Sequence, residues 1–125
     1  MNASFPPPRT VVLIVEDEPL VRMLGTDVLE DAGFAVVEAV DAREALEQLE
    51  AHPEVDILFT DVQMPGEMDG VALARAVHDR RPDVRLVIAS GRVRLAPGDI
   101  PDSGRFVPKP YRPDELVGIM RDVMS

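Results

Sequence analysis

The chain has no cysteine, which excludes disulfides and thiolate metal sites. No apolar run approaches the ~20 residues that span a bilayer, and Met1-Asn-Ala-Ser has neither the basic start nor the apolar stretch of a secretory signal. By elimination the expectation is a soluble cytoplasmic domain with no membrane contact. Clustered positive charge is missing as well. The formal net charge is −10, and a nucleic-acid surface needs Lys and Arg gathered against phosphates, so no nucleic-acid partner is expected. Lysine is nearly absent: of the 13 basic residues only Lys109 is a lysine, and the others are arginine. There is no internal repeat. What remains is 125 residues with an ordinary apolar fraction of 46%, the size and composition of one globular domain.

Residues 1–9, with three consecutive prolines, read as an extended leader, and the domain proper as 10–125. Val11 to Val15 is a β-branched and aliphatic run of strand length, ending at Glu16-Asp17-Glu18. Pro19 suits the first turn of a helix. Leu20, Val21, Leu24, Val28 and Leu29 follow at helical spacing, with Gly33 as the stop. Phe34 to Glu38 reads as a second strand. Asp41, with Glu44 three residues on, opens a second helix through Ala45, Leu46 and Leu49. Asp56 to Asp61 is a third strand that ends on a carboxylate and a Met-Pro-Gly loop. Asp69 caps a third helix carrying Val71, Leu73, Ala74 and Val77. Val84 to Ala89 is a fourth strand, ending at Ser90-Gly91. Between Arg92 and Gly104 the residues Pro97, Gly98, Pro101 and Gly104 leave room for a helix of about one turn at most. Arg105 to Val107 is a short fifth strand, and Arg112-Pro-Asp-Glu opens a last helix with Leu116, Val117, Ile119, Met120 and Val123. Met23, Met64, Met68 and Met120 read as core or loop packing, and His52 and His78 as exposed helix-end residues.

Strands alternating with helices demand a parallel sheet with right-handed crossovers. The expected fold is α/β, a doubly wound five-stranded parallel sheet of order 2-1-3-4-5. That order brings the carboxyl ends of four strands to one edge, and with them Glu16 and Asp17, Asp61, Ser90, and Lys109. Carboxylates some 5 Å apart repel by roughly 3 kcal/mol per pair at an effective dielectric near 20. Either their pKa values rise or a cation sits among them, and a hard divalent ion, Mg²⁺ before others, suits oxygen ligands. Mg²⁺ on carboxylates with positions open for phosphate oxygens is a phosphoryl-transfer arrangement, in which a carboxylate can itself be the nucleophile. Asp61, between the acidic pair and Lys109, suits that role.

Taken singly, each of these groups has a plainer reading. Glu16-Asp17-Glu18 is a solvated helix start, Asp61 a loop or capping carboxylate, Ser90-Gly91 a turn, and Lys109 a surface charge. Jointly, these readings require four coincidences at four strand ends. The motifs Val11-Val-Leu-Ile-Val-Glu-Asp-Glu-Pro, Thr60-Asp-Val-Gln-Met-Pro, Met68-Asp-Gly, Ala89-Ser-Gly and Val107-Pro-Lys-Pro-Tyr, in this order and spacing, resemble the receiver domain of two-component response regulators. The resemblance runs from about Thr10 to Met124. It implies a flavodoxin-like fold, with Asp61 the phosphoacceptor and Mg²⁺ held by Glu16, Asp17, Asp61 and the backbone carbonyl of Gln63. It makes Ser90 the switch hydroxyl, with Gly91 leaving the backbone beside it open, Lys109 the counter-charge, and Phe106 the aromatic switch. It also implies a cis Lys109–Pro110 bond.

The same resemblance implies that the chain is not an enzyme. It would take a phosphoryl group from a histidine kinase or histidine phosphotransfer protein, and signal through a downstream protein partner. Met1 and the end of the chain after the last helix favour a single-domain regulator. The alternatives are a phosphate shuttle or sink in a phosphorelay, or the receiver module of a hybrid histidine kinase. The sequence departs from the family at three places: a longer Met64–Gly70 loop, Pro108, and the family's fourth helix, expected to be short or missing within 92–104. In that last respect it resembles receivers of alphaproteobacterial stress and cell-cycle phosphorelays. An Mg²⁺-dependent phosphohydrolase is disfavoured, because such enzymes usually need a second acid near the nucleophile as general acid/base, and Gln63, two residues after Asp61, cannot supply one. A flavin-binding domain is disfavoured by the acidic strand ends.

Overall fold

The computed structural model describes residues 9–64, 66, 68–91, 100 and 104–125. Nearly all of the leader, and all but two residues of the 92–104 stretch where the fourth helix is expected to be short or missing, lie outside the described residues. Five strands, β1 (Val11–Val15), β2 (Ala35–Ala39), β3 (Ile57–Asp61), β4 (Arg85–Ser90) and β5 (Arg105–Pro108), alternate with α1 (Pro19–Asp31), α2 (Ala42–Ala51) and α3 (Gly70–Arg80), and α4 (Pro113–Val123) follows β5. All strand pairs are parallel and their order is β2-β1-β3-β4-β5, as the sequence implies.

The apolar strand runs are explained by burial on both faces of the sheet. Along β1, Val11, Leu13 and Val15 face one side, where Leu58, Leu49 of α2 and Leu73 and Val77 of α3 close the core. Val12 and Ile14 face the other, against Ile57, Phe59, Leu29 of α1, and Leu116 and Met120 of α4. Both central strands are thereby sealed, and only their carboxyl ends reach the surface.

Local signals act largely as expected. Asp41 accepts from the Glu44 N–H at 2.8 Å and Asp69 from the Ala72 N–H at 2.8 Å. The Glu44 carboxylate reaches one residue further back than a standard capping box, to the Val40 N–H at 2.9 Å. Gly33, at φ 98°, ends α1 in a Schellman motif, with Gly33 N–H to the Glu30 carbonyl at 3.0 Å and Phe34 N–H to the Leu29 carbonyl at 3.0 Å. Phe34 is thus committed to the helix end and packs with Leu29, which is why β2 starts one residue later than the apolar run suggests.

Three readings need correcting. Leu20 and Leu24 are 69% and 62% exposed, because α1 buries the face of Gly25, Thr26 and Leu29 instead. Met23 shares their exposure and is not core. His78 is not exposed: it is half-buried in the last turn of α3, with Nδ1 enclosed and without a hydrogen-bond partner among the described residues, and His52 is half-buried with Nδ1 3.0 Å from Glu54.

The contrast between buried and exposed leucines is directly testable. Leu58→Ala, at a fully buried position, is expected to cost about 2–5 kcal/mol in urea unfolding. Leu20→Ala should stay within about 0.5 kcal/mol of the parent.

Candidate functional site

Register sets the site. Val15 pairs with Thr60 across β1 and β3, so the next residues, Glu16 just past β1 and Asp61 at the end of β3, stand side by side. On the other side of β3, Asp61 pairs with Ala89, and in the next pair of strands Ser90 is level with Pro108. The Lys109 N–H then donates to the Ser90 carbonyl at 2.9 Å, and the Lys109–Pro110 peptide is cis. Four strand ends therefore meet at one edge.

The lysine ammonium is the hub of the cluster. Lys109 Nζ donates to Glu16 Oε1 at 2.9 Å and to Asp61 Oδ2 at 3.1 Å. Glu16, Asp17 and Asp61 each offer a carboxylate oxygen, all within 4.8 Å of one another. Glu16 is buried, Asp61 half-buried and Asp17 exposed, so the cluster opens to solvent on the Asp17 side. Ser90 is buried at the end of β4, and Gly91 lies against Lys109, where an added Cβ would stand 3.5 Å from the Lys109 Cβ. Gln63 is exposed in the loop after β3, and Phe106 is half-buried on β5, level with Ile88. A larger cavity of about 580 Å³, between α2 and α3 beside Leu46 and Met68, holds none of the converging carboxylates.

The loop after Asp61 is held close by glycine. The Gly70 N–H donates to the Val62 carbonyl at 2.8 Å, and a Cβ on Gly70 would collide with the Asp61 carbonyl. Thr60 Oγ1 donates to that same carbonyl at 3.0 Å. The Asp61 backbone is thus fixed on both sides while its carboxylate stays accessible.

The electrostatics are unequal between the partners. Burial raises the Glu16 carboxyl above its ordinary 4.5, and the hydrogen bond and charge of Lys109 do not cancel it. Burial pulls the Lys109 ammonium down, but its hydrogen bonds to Glu16 and Asp61 outweigh that and hold it above 10.5. Lys109 is therefore cationic at neutral pH. Burial also raises the Tyr111 phenol, whose ring meets Phe59 edge-on at 5.8 Å beside the site. The three carboxyl groups outnumber the one ammonium, and every ligand atom they offer is a hard oxygen. That donor set fits a divalent ion such as Mg²⁺ and poorly fits a soft metal.

Several contributors were not singled out from sequence. Arg22, Thr26 and Glu38 form a linked group behind Glu16: Arg22 Nη1 donates to the Glu16 carbonyl at 2.8 Å and Nε to Glu38 Oε1 at 3.0 Å. Nothing in residue type distinguishes Arg22 from the other arginines. The one signal was Glu38, a charge closing an otherwise apolar strand run.

A parallel 2-1-3-4-5 sheet with acidic groups, a hydroxyl and a lysine at its carboxyl edge defines a flavodoxin-like receiver architecture. The family described as response regulator receiver domain matches residues 12–121, and the chain belongs to that family. It is 38% identical over 118 residues to the sensor kinase CckA of Brucella abortus, a match covering 91% of this chain and 12% of the kinase. The response regulator receiver protein CpdR of the same organism is 34% identical over 109 residues, covering 85% of this chain and 89% of CpdR. Of CckA, then, the chain spans about an eighth. Among solved structures, the receiver domain of the hybrid histidine kinase CckA superposes with a TM-score of 0.80 at 29% identity, covering 92% of this chain and 99% of that one. The signal receiver domain of an HD domain-containing protein from Pseudomonas fluorescens Pf-5 gives 0.82 at 26%, covering 94% and 95%. Mg²⁺ binding at such an acidic cluster is general to the family.

The raised Glu16 carboxyl sets a pH dependence. A carboxyl raised on folding favours the native state fully below its unfolded value, and that stability is lost as pH rises through the folded value. In metal-free buffer Glu16→Gln should therefore match or exceed wild-type stability at pH 7. The difference should vanish below about pH 4.5, where wild-type Glu16 is protonated in both states. Thermal unfolding across pH checks this, and a Glu16→Gln deficit that grows toward neutral pH contradicts it.

Proposed function

We propose that this chain is a phosphoryl-accepting regulator in which Asp61 takes the group from a phosphohistidine on a histidine kinase or histidine phosphotransfer protein. The observation that carries the reading is the pairing of Lys109 Nζ with both Glu16 and Asp61, 2.9 and 3.1 Å away, inside a three-carboxylate cluster. An Asp61 carboxylate oxygen attacks phosphorus as the phosphorus–nitrogen bond to the imidazole breaks, and the imidazole nitrogen takes up a proton. The product is an aspartyl phosphate. Mg²⁺, held by Glu16, Asp17, Asp61 and the Gln63 carbonyl, supplies charge neutralisation for the phosphoryl oxygens when bound.

The chain's own residues do the rest. Glu16 is the buried acid that keeps Lys109 charged and anchored. Lys109 passes one hydrogen bond from Asp61 to a phosphoryl oxygen. Ser90, on the neighbouring strand end, donates its hydroxyl to another, and Gly91 leaves room for it. Phosphorylation adds roughly −1.5 to −2 charge, which draws Ser90 and Lys109 inward and biases the Phe106 side of β4 and β5 between two states. Each event consumes one phosphoryl donor and modifies the protein, so the chain is a stoichiometric switch and not an enzyme. Output is through a downstream protein partner and not nucleic acid, in line with the net charge of −10. Its place is the cytoplasm, where phosphohistidine donors of this kind face; no described helix is long and apolar enough to cross a membrane.

The near full-length match to CpdR supports a single-domain regulator. The higher identity to CckA supports a second reading, a receiver module of a hybrid kinase or a phosphate shuttle. Lifetime separates them: a phospho-Asp61 that passes its group back to a histidine within seconds is a relay, and one that persists while binding a target is an effector.

Incubation with acetyl phosphate and Mg²⁺ should add about 80 Da, one phosphoryl group, to wild type and nothing to Asp61→Asn. Chelation should abolish the adduct. An adduct on both proteins places the acceptor elsewhere. Multiple turnover of a phosphomonoester makes the chain a hydrolase.

A further inference from the structure

We propose that Arg22 is a positioning residue for the metal site: it grips the Glu16–Asp17 peptide from behind and so sets where Asp17 stands. This rests on reading the acidic cluster as a Mg²⁺ site. Two of its three carboxylates, Glu16 and Asp61, are held by Lys109 at 2.9 and 3.1 Å. The third, Asp17, is exposed, and among the described residues no hydrogen bond or ion pair secures its side chain. Its position depends on the backbone.

That backbone is pinned on both sides of Glu16. The Glu16 N–H donates to the Ala39 carbonyl at 3.1 Å, and the Glu16 carbonyl accepts from Arg22 Nη1 at 2.8 Å. A peptide unit is planar, so fixing that carbonyl fixes the Asp17 N–H and the direction in which the chain reaches the Asp17 Cα. Arg22 is held in turn. Its Nε donates to Glu38 Oε1 at 3.0 Å, and the other Glu38 oxygen accepts from Thr26 Oγ1 at 3.2 Å. Gln48 Nε2 of α2 donates to the Glu38 carbonyl at 3.1 Å. The Arg22 side chain is only 17% exposed.

The chemistry explains the residue types. The grip needs two donors in a fixed plane, one for a carbonyl and one for a carboxylate, which a guanidinium supplies and an ammonium does not. Glu38 also neutralises Arg22. Without it, a bare positive charge behind the cluster would oppose cation binding. Outer partners of this kind commonly set metal affinity, and their loss weakens it by roughly 10–100-fold.

Calorimetric titration of Mg²⁺ into unphosphorylated wild type, Arg22→Met, Arg22→Lys and Glu38→Gln tests this. Arg22→Met should weaken Mg²⁺ binding by roughly tenfold or more, with Arg22→Lys and Glu38→Gln intermediate. The Mg²⁺ concentration for half-maximal labelling by acetyl phosphate should rise in parallel, while the rate at saturating Mg²⁺ stays within about twofold. A purely structural Arg22 would lower Tm and leave the Mg²⁺ affinity at the wild-type value; that result overturns the inference. If Arg22→Met does not fold by circular dichroism, the other two variants decide, and wild-type affinity in both overturns it. Failure of wild type itself to bind Mg²⁺ overturns the site reading instead.

Discussion

One ammonium between two carboxylates is the interaction on which this site depends. Lys109 joins Glu16 and Asp61, residues that precede it by 93 and 48 positions, and so ties the last strand to the first and third. The pair interaction is not a simple gain in stability. Burial raises Glu16 against the pull of Lys109, so desolvation outweighs the attraction at that carboxylate. Acids crowded at a cost to stability have their use in the chemistry that crowding permits. The stability comes from elsewhere, from strands sealed on both faces by Leu13, Leu58, Leu73, Leu86 and Leu116.

The topology makes such crowding unavoidable. β1 and β3 are neighbours in a parallel sheet, so residues just past their ends emerge at the same height. A carboxylate after Val15 and another after Thr60 must then lie together. An antiparallel pairing would have sent the two to opposite edges. The crossover order that centres β1 and β3 also leaves their carboxyl ends in the crevice where helices diverge. Gly70 brings α3 back tightly under Asp61, at a distance where a Cβ would strike the backbone. Fold and site are one geometric fact here.

Much of this was legible in the sequence because the signals are local. Five apolar runs gave five strands, Asp41 and Asp69 gave two helix starts, and Gly33 gave one end. The converging carboxylates and Lys109 followed from strand ends plus a topology rule. What escaped was non-local or degenerate. Leu20 and Leu24 fall at the same helical spacing as buried residues, and only the packing of Gly25 and Leu29 against the sheet decides which face turns inward. Phe34 is as apolar as a strand residue, and its use in the helix end depends on hydrogen bonds that residue type does not encode. Arg22 and Glu38 are 16 residues apart and both of common type. Their partnership exists only once α1 lies over β1 and β2.

The two cations that flank the acidic strand end differ in kind, and the difference is physical. Lys109 is a compact point charge with three donors, two of them used on Glu16 and Asp61. A flexible stem lets such a charge transfer a hydrogen bond to a new oxygen without breaking all its contacts. Arg22 is a rigid fork whose donors span a carbonyl and a carboxylate; moving it would break both at once. The cation on the flexible stem therefore stands inside the acidic cluster, and the rigid fork stands behind it, on the backbone. Lys109 is the single lysine among 13 Lys and Arg residues, and it stands where a compact ammonium is shared between two carboxylates and a planar fork is not an equivalent substitute.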